Sequence, residues 1–109
     1  MIDKLQKIKN ALASIENLKV YHYWRPRLEA PYCTWQENGE GDSLYASNHK
    51  KEQVISGVID YYTLTDFDPM VDTIQDKINS IENLGWSLVS VDFEDDTRLI
   101  HFSWDFEII

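Results

Sequence analysis

Cys33 and His22 come nearest to a catalytic pair in this sequence. A thiol becomes a nucleophile when a neighbouring base takes its proton, and these two residues fall on neighbouring predicted strands. However, a lone cysteine on an apolar strand face beside Trp35 is more typical of core packing than of catalysis. We therefore expect Cys33 to be a core residue and the chain to have no thiol chemistry.

Metal binding is the second kind of chemistry that the residue types could support. The acidic run 92–96 offers carboxylate oxygens, but it lacks the alternating ligands, turn glycine and terminal glutamate of an EF-hand loop. The three histidines are scattered without the spacing of a zinc site, and we expect His49 and His101 to be surface residues. The acidic run therefore predicts a solvated hairpin tip, and we expect neither a metal nor a cofactor.

The charge of the chain argues against nucleic-acid binding through phosphate contacts, because the formal net charge is −9. The sequence has no glycine-rich phosphate loop, and its aromatic C-terminal hairpin lacks the basic residues that accompany base stacking. Residues 1–27 hold six Lys/Arg against two acids, whereas residues 28–109 hold four against seventeen. A basic end and an acidic body can attract each other within one fold or between neighbouring copies.

The length of 109 residues predicts a single domain. Cys33 is the only cysteine, so no intrachain disulfide can form and a reducing compartment is expected. Met1–Ala13 carries several charges, which argues against a signal peptide, and no apolar run is long enough to span a membrane. We expect a soluble cytosolic protein without a membrane partner.

The hydrophobic pattern predicts two helices and five strands. The predicted elements are a helix at Ile2–Glu16, strands at Leu18–Arg25 and Pro31–Gln36, a long loop at Glu37–Lys51, a strand at Gln53–Thr63, a helix at Pro69–Glu82, and a hairpin of Trp86–Phe93 and Arg98–Glu107. This α-β-β-β-α-β-β order predicts an α+β domain, with two helices on one face of a mostly antiparallel sheet of about five strands. A parallel crossover between residues 53 and 93 would make the sheet mixed.

The stretch 52–83 is predicted to form the central strand of the sheet and the helix that follows it. Its strand is apolar on both faces, which is typical of a strand in the middle of a sheet. Asp68 is placed to cap the following helix, with Pro69 at the first helical position. The core is predicted to contain Ile59, Ile74, Ile78, Phe102 and Trp104. The other aromatic residues of the C-terminal hairpin, Trp86, Phe93 and Phe106, are also more typical of core packing than of base stacking.

The loop predicted at Glu37–Lys51 is the stretch most suited to a particular function. Leu44 and Tyr45 in its middle would be unusual in a loop that meets only water. We expect the loop to be mobile in the isolated chain and to become ordered on assembly. Tyr61 and Tyr62 add strand aromatics beyond what a small core needs, and such a surplus is typical of protein–protein surfaces.

Three segments of the chain carry a resemblance to a known family. They are Leu44–Gln53 (LYASNHKKEQ), Gly57–Thr63 (GVIDYYT) and Phe67–Val71 (FDPMV). Together they resemble the small tail-completion, or tail-terminator, proteins of long-tailed phages and prophages of Gram-positive bacteria. In that family a helix precedes the sheet, and a strand that ends in paired aromatics leads to an acidic-capped helix.

The resemblance implies a structural role without enzymatic activity or a cofactor. Family members close into a ring, commonly a hexamer, that caps the head-proximal end of the tail tube, ends tail growth and permits joining of the head. The implied partners are other copies of the chain, the tail-tube protein and the head-connector proteins, with DNA only passing through the lumen. The implied location is the host bacterial cytoplasm during assembly and then the virion tail.

The residues that we expect at subunit or partner contacts come from the predicted loop, the central strand and the basic first helix. They are Leu44, Tyr45, His49, Lys50, Lys51, Tyr61, Tyr62, Lys4 and Lys7. We expect self-association through strand edges and through contact of the basic first helix with an acidic surface of the next copy.

Two other classes of function remain open from the sequence. An acidic chain of this size could be a DNA mimic that inhibits a nucleic-acid enzyme, although its basic N-terminal helix counts against this. It could also be a small cytosolic ligand-binding or hydrolytic domain, which the missing catalytic constellation disfavours.

Overall fold

The computed structural model describes residues 1–24, 29–41, 44–46 and 49–109, and within 44–51 it describes the backbone only. The elements are helices α1 (Ile2–Ala13) and α2 (Met70–Asn79) and strands β1 (Val20–His22), β2 (Tyr32–Glu40), β3 (Leu44–Ala46), β4 (His49–Glu52), β5 (Ile55–Thr63), β6 (Leu84–Phe93) and β7 (Ile100–Ile108). The predicted order α-β-β-β-α-β-β is confirmed, with a small hairpin added between the second and third strands of the main sheet.

The main sheet has five strands in the order β1-β2-β5-β7-β6. β1 pairs parallel with β2, and the other three pairings are antiparallel. Because β5 and β6 both run antiparallel to β7, they run parallel to each other with β7 between them. The passage through α2 is therefore the parallel crossover that the sequence allowed, and the sheet is mixed.

Residues 37–51 differ from the predicted long loop. Glu37–Glu40 continues β2, and its bulge falls between Glu37 and Gly39, where the pairing with β5 shifts. β3 and β4 then form a separate two-stranded hairpin. The prediction failed because the polar residues of this stretch hide the alternation of a strand, and because the bulge breaks its period of two.

The core lies between the two helices and one face of the sheet. Its fully buried members include Ile8 and Leu12 from α1, Ile74 and Ile78 from α2, and the alternating residues Ile55, Ile59, Tyr61, Trp104, Phe106 and Ile108 from the sheet. Both helices therefore cover the same face, as predicted. Among the five predicted core residues, Ile59, Ile74, Ile78 and Trp104 are buried, whereas Phe102 is only partly buried.

Gly57 allows Phe106 to cross β5 at close range. A Cβ atom built on Gly57 would lie 2.4 Å from the Phe106 ring and 2.3 Å from the Gln36 carbonyl oxygen. Any side chain here would therefore collide with the backbone of β2 as well as with the ring. The glycine in the middle of the central strand is a packing requirement rather than a weak point of the strand.

Candidate functional site

Asp68 forms a hydrogen-bonded cluster where β5 leads into α2. Its Oδ2 accepts hydrogen bonds from the hydroxyls of Tyr61, at 2.6 Å, and Thr63, at 2.7 Å. Its Oδ1 accepts the backbone N–H of Met70 at 2.9 Å, so the side chain binds the start of the helix as the sequence predicted. The helix begins at Met70, however, so Pro69 is its N-cap residue and not its first helical residue as predicted. The cluster ties the end of the central strand to the start of α2.

The electrostatics of this cluster keep Asp68 ionised and Tyr61 neutral. Burial alone would raise the pKa of Asp68, but the hydrogen bonds from Tyr61, Met70 and Thr63 lower it overall. Burial and the hydrogen bond to Asp68 raise the pKa of the Tyr61 phenol well above its ordinary value. A carboxylate held ionised by three donors is suited to support the helix and is poorly suited to accept a proton in catalysis.

Cys33 and His22 do not form a nucleophile–base pair. Cys33 is fully buried in the core, and burial raises the pKa of its thiol far above the ordinary value. In the parallel ladder, Cys33 lies opposite Val20, whereas His22 lies opposite Trp35 and stacks on its ring. The expectation that Cys33 is a core residue is confirmed.

His22 belongs instead to an exposed cluster at the β1 side of the sheet. Its Nε2 lies 2.7 Å from a carboxylate oxygen of Glu37, and its ring stacks between Tyr23 and Trp35. Burial alone would raise the pKa of Glu37, but hydrogen bonds from Tyr23 and His22 lower it overall. A shallow cavity of about 220 Å³ beside it is lined by His22, Trp35 and four residues of α1.

The sheet face opposite the helices carries a second histidine pair. His101 Nε2 lies 2.7 Å from a carboxylate oxygen of Asp60, and the two side chains are only 23% and 18% exposed. Tyr62 stacks on the His101 ring on one side and on Tyr32 on the other. His101 therefore lies on the outer face of the sheet, as predicted, but its cross-strand neighbours cover it in part.

An apolar hollow of about 500 Å³ opens where α2 begins, between its first turn and the ends of β6 and β7. Phe102 lines this hollow, which explains why it is only partly buried. Phe67 lies at its rim with a positive φ of 55° and a side chain that is 94% exposed. Asp66, Asp68 and Asp72 share the lining, so the hollow is apolar in its walls and acidic around its mouth.

Exposed apolar side chains lie on the outer strand β6 and directly after the end of the outer strand β1, and we name these surfaces the β6 edge and the β1 edge. The β6 edge comprises Leu88, Val89, Val91 and Phe93, which are between 43% and 60% exposed. The β1 edge comprises His22, Tyr23 and Trp24, and Trp24 is 74% exposed. Exposed apolar groups concentrated on unpaired strands are typical of association surfaces.

The β6 edge was missed in the sequence, where Phe93 was assigned to the core. The apolar run Leu88-Val89 with Val91 reads like a strand covered on both faces, and β6 is instead the outermost strand. The signal available was the surplus of apolar residues over the space that two short helices can cover.

The nine predicted contact residues lie on several different elements and do not form one surface. Leu44 and Tyr45 lie on β3 and His49, Lys50 and Lys51 on β4, with their side chains outside the described part of the chain. Lys7 is exposed on α1, whereas Lys4 donates to the carbonyl oxygen of Gln53. Tyr62 is half-buried.

Tyr61 must be withdrawn from the predicted contact residues. Its ring is 1% exposed because the helices cover this face of β5, and its hydroxyl is bound to Asp68. Its role in the isolated chain is therefore to join the core to the helix cap.

The part of the chain that the structure describes contains no group of three or more His, Cys, Asp or Glu side chains arranged to hold a metal ion. Among the same residues, no helix is both long and apolar enough to cross a membrane. A scan against models of protein families found none that matches the chain, and a search of curated proteins found no match either.

Proposed function

We propose that this chain is a structural subunit of a phage or prophage tail, which forms a ring on the head-proximal end of the tail tube. The ring ends tail growth and permits the head to join. The proposal starts from the resemblance of Leu44–Gln53, Gly57–Thr63 and Phe67–Val71 to tail-terminator proteins. The α+β architecture with its leading helix and acidic-capped second helix has the element order that this resemblance implies.

The observation that carries the proposal is that, among the described residues, neither β1 nor β6 pairs with a further strand on its outer side. A subunit with two different association surfaces can bind its neighbours head to tail, and such contacts close into a ring when the rotation between copies permits. The exposed side chains of the β6 edge and the β1 edge supply apolar area on each surface.

The β3–β4 hairpin is the element that we assign to the other virion partners. It forms its own two-stranded sheet and branches from the main sheet between β2 and β5. The family resemblance includes its residues 44–52, so we propose that it contacts the tail-tube protein or the head connector.

The experiment that tests the proposal combines the purified chain with its cognate tail-tube protein. Negative-stain electron microscopy should reveal rings of the chain and rings seated on one end of each tube, and addition of the chain to polymerising tube protein should shorten the tubes. Tubes of unchanged length with no bound chain would refute the proposal. Displacement of DNA from a nucleic-acid enzyme by a monomeric chain would favour the DNA-mimic alternative instead.

A further inference from the structure

The strand register across the main sheet places the β1 edge and the β6 edge at the same level. One continuous row of paired residues runs His22, Trp35, Ile59, Trp104 and Leu88. The next rows run Tyr21, Thr34, Asp60, Ser103 and Ser90, and then Val20, Cys33, Tyr61, Phe102 and Val91. The bulge between Leu88 and Ser90 takes up Val89. Leu88, Ser90 and Val91 of β6 therefore lie level with the three residues of β1, and Phe93 lies beyond them.

The direction of the two strands is also complementary. β1 and β2 run the same way, and each of the three further steps across the sheet reverses direction. β6 therefore runs opposite to β1. If a neighbouring copy is related by rotation about an axis along the strands, its β1 meets β6 antiparallel and without a shift in level.

A charge pair falls in the next row of the same alignment. The Cys33 N–H donates to the Lys19 carbonyl oxygen at 2.8 Å, which continues the β1 ladder and sets Lys19 level with Tyr32. On the other side, Tyr32 pairs with Tyr62, Tyr62 with His101, and His101 with Asp92. Lys19 and Asp92 are both exposed and stand in one row at opposite edges.

We propose that β6 of one copy pairs antiparallel with β1 of the next copy, with Val91 opposite Val20, Leu88 opposite His22, and Asp92 opposite Lys19. The partner at each edge is thus a second copy of this chain, and the contact extends the sheet from subunit to subunit. This inference rests on the proposed ring and specifies how the ring is closed.

Three independent features favour a second copy over an unrelated protein at these edges. Val20 and Val91 stand in one row at the two edges, the strand directions suit antiparallel pairing, and the charges in the neighbouring row are opposite. The overall charges of the two parts of the chain are opposite as well. Residues 1–24 carry four lysines against two acids, whereas residues 64–107 carry two bases against eleven acids. Complementary fields steer association and fix the register.

Disulfide cross-linking tests the register directly. In antiparallel sheets, directly opposed Cα atoms lie about 4.5–5.5 Å apart, which is within the span of a disulfide. Tyr21→Cys combined with Ser90→Cys should therefore give a ladder of covalent multimers after mild oxidation. The native Cys33 does not compete, because it is fully buried.

Matched variants make the cross-linking result specific. Tyr21→Cys combined with Ser87→Cys keeps both cysteines on the same sheet face but moves one out of register, and it should give no ladder. A mixture of the two single variants, Tyr21→Cys and Ser90→Cys, should give dimers and nothing larger. Strong dimers from Ser90→Cys alone would indicate a two-fold β6–β6 contact and overturn the inference.

Charge exchange provides a second, reversible measurement on the native sheet. Lys19→Asp or Asp92→Lys alone should raise the dissociation constant of the oligomer by about threefold to tenfold, as expected for an exposed ion pair turned into a repulsion. The double variant, with the two charges exchanged, should restore most of the affinity. Equal losses in the double variant and the singles would contradict the pairing of these residues.

The outcomes separate this inference from the proposed function. Oligomers of native mass that give no ladder with the 21–90 pair would overturn the strand pairing and leave the tail role standing. If the 21–90 pair gives a ladder but the chain neither binds nor shortens tail tubes, the tail role is overturned and the strand pairing stands. A chain that stays monomeric at every concentration measured by light scattering would overturn the pairing.

Discussion

Asp68 is the residue whose local sequence best predicted its structure. The pattern Asp-Pro before an apolar helical run is a local signal, so no distant part of the chain is needed to interpret it. What the sequence could not indicate is that Tyr61 and Thr63, from the preceding strand, also bind the same carboxylate. Those contacts depend on how the chain turns between β5 and α2.

Removal of the Asp68 carboxylate should destabilise the fold and change its acid sensitivity. Asp68→Ala leaves three donors without their acceptor, and we expect a loss of about 1–3 kcal/mol at pH 7. Because the folded state lowers the pKa of Asp68, its contribution is present above the unfolded pKa of about 3.9 and is lost as the pH falls through the lower folded value. Urea melts between pH 2.5 and 7 should therefore converge for the variant and the native chain at the acid end.

The exposed Asp66 provides the control for this measurement, since it lies two residues away on the same turn. Asp66→Ala should leave the free energy of unfolding within about 0.5 kcal/mol of the native value. If both alanine variants lose the same stability, the hydrogen bonds to Asp68 contribute nothing specific.

Two aromatic residues of β7 should differ in their contribution to stability because the helices cover them unequally. Trp104 is fully buried and its indole N–H donates to Gln75, so Trp104→Ala should cost about 3–5 kcal/mol. Phe102 borders the open hollow beside α2, so Phe102→Ala should cost about half as much. Equilibrium unfolding of both variants measures the difference, and equal losses would contradict the partial exposure of Phe102.

At the scale of elements, the periodic segments were predictable and the positions of the strands in the sheet were not. Both helices and the central strand follow from apolar spacing, with ends that shift by one to three residues. Phe93 was misplaced because a strand's rank in the sheet depends on long-range pairing, which a single sequence does not contain. The extension of β2 to Glu40 was missed for the same reason, since only its pairing with β5 makes it a strand.

The crossing of Phe106 over β5 should make Gly57 the least replaceable glycine of the sheet. Gly57→Ala forces a methyl group into the Gln36 carbonyl and the Phe106 ring, so we expect a loss of about 2–4 kcal/mol or failure to fold. Gly85→Ala is the matched control on β6, because nothing lies within 4 Å of its Cβ position. Thermal melts of the two variants should differ clearly, and similar melting temperatures would contradict this packing.

The β3–β4 hairpin should be removable without loss of the main sheet. The Gly41 N–H donates to the Val54 carbonyl oxygen at 2.8 Å, so the chain is already closed where the hairpin branches off. Replacement of residues 42–52 by a short glycine turn should therefore preserve the circular dichroism spectrum and the cooperative melt. Tails assembled with this variant should be of abnormal length or fail to join heads, and normal tails would remove the hairpin from the proposed function.

At the scale of the whole molecule, the uneven charge should make the proposed association dependent on salt. The ion pair between Lys19 and Asp92 in the proposed contact is solvent-exposed, and exposed pairs are screened within a Debye length of about 8–10 Å near physiological ionic strength. We expect the oligomer to dissociate more readily at 0.5 M than at 0.05 M salt. Sedimentation at both salt concentrations measures this shift, and the exchanged pair of variants should follow the same trend.

The position of β7 determines when the five-stranded sheet can first form during synthesis. β7 pairs with β5 on one side and β6 on the other, yet it is made after both. At about 5–20 residues per second, β5 spends several seconds outside the ribosome before its neighbour emerges. Before β7 is made, β6 is a single strand separate from β1, β2 and β5, and the rows that align the outer strands can form only once β7 joins them.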